Sequence, residues 1–216
     1  MTRIEFEGDL HRVAGLRLYV GGAGRLFEIM GNELASIDLP HSDSFPLAVD
    51  EEGGLILGRP SGDRIVRRYT PDGKLDATYG FTLDQILSLA VSGKDLIVAF
   101  RNGLVQRIDH QTVPRIDYSR RVGIVSNQID ALDGRIAVAG ESCTLFDSEG
   151  KVLERLPGSR KIRLRSDGVW LLEESLQGAD RTITPGDLGL TMIQDVICGG
   201  DVEWALGEAL VQIDPK

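Results

Sequence analysis

Short, continuous apolar runs recur along this chain, each following a turn rich in Gly or Asp. They are Leu18-Tyr19-Val20, Leu55-Ile56-Leu57, Leu96-Ile97-Val98-Ala99, Ile136-Ala137-Val138, Val169-Trp170-Leu171-Leu172 and Val202-Glu203-Trp204-Ala205. Measured from their first residues, successive runs are 37, 41, 40, 33 and 33 positions apart. Runs this short, flanked by glycine and not alternating with polar residues, predict strands covered on both faces rather than helices. A second apolar segment and a tight turn precede each run. Examples are Leu89-Ala90-Val91 before Ser92-Gly93, Ile129 to Leu132 before Asp133-Gly134, and Ile162 to Leu164 before Ser166-Asp167-Gly168. Asp-Gly between apolar runs predicts a hairpin, because glycine accepts a positive φ without penalty.

A third segment follows each run, as in Leu104-Val105-Gln106-Arg107-Ile108 and Cys143-Thr144-Leu145-Phe146. A fourth follows another turn, as in Pro71-Asp72-Gly73-Lys74-Leu75. A repeat of about 36 residues therefore reads as a four-stranded meander, the blade of a β-propeller. The last repeat supplies three strands only, ending with Ala209-Leu210-Val211-Gln212-Ile213, while Thr2-Arg3-Ile4-Glu5-Phe6 precedes the first inner strand. Pairing the two would remove an open sheet edge. The expectation is one all-β domain over residues 1–216, a six-bladed β-propeller whose N-terminal strand closes the last blade. Five blades are the alternative, because the stretch from Ser175 to Leu190 is irregular and its third strand weak.

The segment from Arg64 to Gly80, RIVRRYTPDGKLDATYG, resembles one repeat of NHL-type propellers: an apolar strand, a DG turn, a strand and a terminal aromatic-Gly. Residues 146–152 resemble it in part. The resemblance implies a propeller and commonly a binding role, and it carries over no catalytic residues. The WD dipeptide and its partner histidine, the mark of WD40 repeats, are missing.

Composition narrows the classes of function. The 26 glycines are scattered among β-branched residues, as many tight turns require. The start, MTRIEFEGDL, lacks a basic region followed by an apolar run, so no secretory signal is expected. Apolar stretches of four or five residues are too short for a membrane helix, which takes roughly 20. Cys143 and Cys198 form no CxxC or Cys/His cluster and read as free thiols of a reducing, cytoplasmic compartment. A net charge of −9 disfavours nucleic acid. The charge is uneven, however. Residues 101–165 carry more basic than acidic side chains, and the remainder is strongly acidic.

Candidate chemistry is sparse. There is no Gly-x-Ser-x-Gly, HExxH or Walker loop, and Gly21-Gly22-Ala23-Gly24 joins two predicted strands with no helix to hold phosphate. His11, His41 and His110 fall in separate repeats. Loops entering the inner strands supply Asp84, Asn127 and Asp195, with Gln85 and Gln194 beside them. Such oxygen ligands suit calcium or magnesium at a channel mouth, as in a lactonase-like propeller hydrolase. Ordinary loop composition also accounts for them. Arg120-Arg121 and Arg160-Lys161 are expected in the connections into two neighbouring inner strands, which places four basic residues on one face. Acidic turns (Asp50-Glu51-Glu52, Asp133, Asp167, Asp201) are expected on the other. The reading is a non-catalytic interaction module or accessory subunit that binds a protein partner through the basic face, without cofactor, nucleic acid or membrane. A small-anion binding protein is the remaining alternative.

Overall fold

The computed structural model describes residues 2–6, 10–14, 17–20, 25–31, 33–38, 45–49, 54–58, 65–70, 72, 74–80, 86–92, 95–100, 102–109, 115–121, 125–199 and 202–213. Several strands, among them those over 10–20 and 115–121, are described by their backbone alone. The described strands fall into six sheets, and the helical element among the described residues is a short 3-10 turn, Pro185–Leu188. No helix among those residues is long and apolar enough to cross a membrane. The chain divides into two compact units: Met1–Asp43 with Arg165–Lys216, and Ser44–Leu164.

In the first unit, Leu10–Ala14, Arg17–Val20, Arg25–Met30 and Glu33–Asp38 pair in chain order as an antiparallel meander. The last sheet has the order Arg3–Glu5, Ala209–Ile213, Val202–Leu206, Asp195–Gly199. Arg3 lies opposite Val211, Ile4 opposite Leu210 and Glu5 opposite Ala209. The Gln212 amide also donates to the Thr2 carbonyl at 2.9 Å. The pairing expected between residues 2–6 and 209–213 is therefore present.

That sheet is buried on both faces, and alternation sorts its residues between two clusters. Val196, Ala205, Ala209 and Val211 pack with Trp170, Leu172, Leu176 and Leu188. Ile197, Trp204, Leu206 and Leu210 pack with Ile4 and with Ile29 of the first meander. Double coverage is the reason the run 202–206 is not alternately polar. Between Gly168–Leu172 and the last sheet, the chain forms only the two-residue strands Leu176–Gln177 and Thr182–Ile183. The 3-10 turn follows them. Its Thr184 and Asp187 cap one another, with the Thr184 amide donating to Asp187 Oδ2 at 2.8 Å. This is the irregular stretch seen in the sequence.

The second unit holds the sheet Phe45–Val49, Leu55–Gly58, Ile65–Tyr69, Leu75–Gly80 and the sheet Ile86–Ser92, Asp95–Phe100, Leu104–Asp109, Arg115–Arg121. A third sheet joins Val125–Leu132, Arg135–Phe146 and Val152–Ser159. Its twelve-residue middle run doubles back on itself. Fully extended it would span about 40 Å, yet a Cβ placed on Gly134 would lie 3.8 Å from Ser148 Cβ, so the two ends of the run lie together. The reversal falls at Gly140–Ser142, where Glu141 and Ser142 are exposed between two buried stretches. The run therefore supplies the two separate strands read from Ile136–Val138 and Cys143–Phe146. At its start, Asp133 and Gly134 both have positive φ, 50° and 72°, in the tight turn between paired Leu132 and Arg135.

Candidate functional site

Register places the basic residues of the second unit. In the sheet Val125–Ser159, Gly140 is paired with Val125, the first residue of the innermost strand, and with Ser159, the last of the outermost. Val125 and Ser159 therefore stand at the same end of that sheet. In the preceding sheet, Arg121 lies opposite Leu104 and Arg120 opposite Val105. Arg120 and Arg121 thus occupy the last two positions of Arg115–Arg121, not the connection as expected from sequence. Arg160 does occupy a connection, and is exposed. Lys161 is half-buried and opens the strand Lys161–Arg165.

Of the candidate metal positions, Asn127 belongs to the second unit and Asp195 to the first. Asn127 is the third residue of Val125–Leu132 rather than a loop residue, because pairing of that strand begins at Val125. Asp195 opens its strand in the other unit, is buried, and accepts the Val196 amide at 2.8 Å. Asp84, with Gln85, lies outside the described residues, as do Gly21–Gly24, His41 and His110. Among the described residues no group of three or more His, Cys, Asp or Glu is placed to hold a metal ion. Of the acidic turns, Asp133 and Asp167 are described and exposed, whereas Asp50–Glu52 and Asp201 lie outside.

Polar ties between successive sheets were not anticipated. Ser88 Oγ accepts the Ile129 amide at 3.2 Å, and Asp130 Oδ2 accepts the Leu164 amide at 2.9 Å. In both cases a side chain on one inner strand holds the backbone of the next, 41 and 34 positions on. The Gln128 amide, its oxygen turned to the Arg163 guanidinium, ties the same two strands as Asp130. Farther out, Arg107 donates to Asp95 and to the Ser148 carbonyl.

The first unit has its own group. Trp170 is wholly buried, with the Arg165 and Arg181 guanidinium carbons 4.9 and 5.3 Å from its ring centroid. Its indole N–H donates to Glu203 Oε1 at 3.2 Å. Glu203 also meets Arg165 at 2.8 Å and Arg181 at 3.5 Å. Asp167 also pairs with Arg165, at 3.0 Å, so two carboxylates face two cations that flank a π-face. The arrangement joins strands through ion pairs and cation–π contacts.

No family model matches the chain, and no curated protein matches it. Many solved structures do. The WD40 β-propeller domain of Doa1 superposes with a TM-score of 0.62 at 13% identity, over 93% of this chain and 76% of that one. This chain is a β-propeller repeat protein. At that identity the likeness establishes the fold alone, and it does so although the propeller lacks the WD signature. Successive meanders of the propeller are its blades, and the ties just described run from blade to blade.

Proposed function

We propose that the protein is a single-domain, six-bladed, NHL-like propeller, closed by its N-terminal strand, that binds an acidic protein partner without catalysing a reaction. The contact surface is the rim bearing Arg120, Arg121, Arg160 and Lys161. What supports this reading is the double pairing of Gly140, with Val125 on one side and Ser159 on the other. Val125, four positions after Arg121, and Ser159, next to Arg160, thus stand at the same end of that sheet. Charges at such a rim accelerate encounter with an oppositely charged surface and are screened by salt. Cys143 and Cys198 are thiols rather than a disulfide, which fits a reducing, cytoplasmic setting.

The test is recovery of native partners on immobilised protein, comparing wild type with Arg120→Glu/Arg160→Glu and with Asp50→Lys/Glu51→Lys. The arginine pair should lose most of the recovery, with unchanged thermal unfolding and a weaker dependence on salt. Equal recovery by the two double variants removes the rim as the contact surface.

A further inference from the structure

Asn102 and Gly103 lie between the strands Asp95–Phe100 and Leu104–Asp109 of the second unit. An asparagine before glycine is chemically the least durable, because glycine has no side chain to hinder attack by its own amide nitrogen. The other asparagines, Asn32 and Asn127, precede the bulkier Glu33 and Gln128. Asn102 is exposed. The fold nonetheless commits both reacting groups elsewhere. The Gly103 amide donates to the Phe100 carbonyl at 3.0 Å, closing a tight turn in which Gly103 has a φ of 78°. Asn102 Oδ1 accepts the Leu104 amide at 3.0 Å. Phe100 and Gly103 are buried, which anchors the turn.

We infer that Asn102 is a deamidation site guarded by this turn, modified when the turn opens. The Gly103 nitrogen gives its proton to solvent and attacks Asn102 Cγ. A C–N bond forms, the Cγ–Nδ2 bond breaks, and ammonia leaves with a proton from water. Water then opens the resulting succinimide at either carbonyl, giving aspartate or isoaspartate. One water is consumed and one ammonia released, with no oxidant or cofactor. Both hydrogen bonds must break first, so conversion in the folded protein should be at least about tenfold slower than in an unfolded chain. An aspartate keeps an oxygen for the Leu104 amide, and the turn re-forms. Isoaspartate instead adds a main-chain carbon between Phe100 and Leu104. Leu104 lies opposite Arg121, so the ladder is displaced at the end of the strand that bears Arg120 and Arg121. The change runs one way, and each converted chain is one whose turn has opened.

The test holds the full chain at mildly alkaline pH, native and in urea, beside the peptide FRNGLVQ, residues 100–106. Peptic digestion and mass spectrometry read conversion at each asparagine. The peptide and the urea-unfolded chain should convert at similar rates, with Asn102 well ahead of Asn32 and Asn127. The native chain should convert at Asn102 at least about tenfold more slowly. Native conversion as fast as the peptide's overturns the guard. Conversion in urea no faster at Asn102 than at Asn127 overturns the site. Thermal unfolding reads the consequence: Asn102→Asp should unfold near wild type, and the isolated isoaspartate form several degrees lower. An isoaspartate form with wild-type Tm overturns displacement of the ladder.

Discussion

Ile4 lies directly opposite Leu210, and both are buried in one cluster with Trp204. The side chain closes the cluster while its two neighbours in the strand, Arg3 and Glu5, face solvent. Ile4→Ala should therefore cost about 2 kcal/mol, the lower end for a buried aliphatic truncation, since the site is at a sheet edge. Deleting residues 1–6 should cost more, because an edge is exposed as well. Urea unfolding checks both. Equal midpoints for wild type and the deletion would show that the strand does not stabilise the sheet.

Glu203 pairs with two guanidinium groups around Trp170, and none of the three charged side chains is well exposed. Removing one partner from such a group leaves charge without compensation. Glu203→Ala should lose about 3 kcal/mol. Its tryptophan emission should shift red as water reaches the ring. An unshifted spectrum with wild-type stability would remove this group from the fold's energetics.

Two glycines separate packing from backbone freedom. A Cβ at Gly178 would lie 2.9 Å from the Trp170 ring, whereas one at Gly80 would meet nothing within 4 Å. Gly178→Ala should destabilise by about 1–2 kcal/mol through overpacking. Gly80→Ala should stay within about 0.5 kcal/mol. Thermal unfolding of the pair gives the contrast, and equal shifts would contradict it.

The Asp187 carboxyl is held below its ordinary value by the Thr184 backbone amide and then by the Thr184 hydroxyl. Its folded pKa is depressed, so its contribution is present above the unfolded value of about 4. That contribution is lost as pH falls through the lower folded value. In an NMR titration the Thr184 amide should therefore move with a midpoint below that of an ordinary aspartate. In Asp187→Asn the transition should disappear. A midpoint at or above the ordinary value would contradict the cap.

The strand rhythm was legible because each element is written locally. Asp133-Gly134 states its own turn, and an apolar run such as Leu96–Ala99 states coverage on both faces, found as Ile97 in one cluster and Val98 in another. The end-to-end pairing was legible by counting strands. The ties from Ser88 to Ile129 and from Asp130 to Leu164 were not, since a serine or aspartate in a strand carries no mark of which amide it will meet. Arg165, Trp170, Arg181 and Glu203 were opaque for the same reason. They are spread over 38 positions and only the packing of successive blades joins them. Arg120 and Arg121 were read as a connection because charge resembles a loop; an outer strand accepts the same residues.

The contact from Arg3 to the Gly189 carbonyl spans 186 positions, and the ladder beside it spans more. A chain emerging from the ribosome makes residues 3–5 more than 200 positions before their partners. Ile29 of the first blade packs into the cluster that needs Ile197, Leu206 and Leu210, so that blade also waits with one face uncovered. Synthesis thus imposes an interval in which an early strand and an early apolar face are both available to other chains. The interval ends only when Ala209–Val211 leaves the exit tunnel, and ribosome-held chains halted before that point should remain protease-sensitive within residues 2–38.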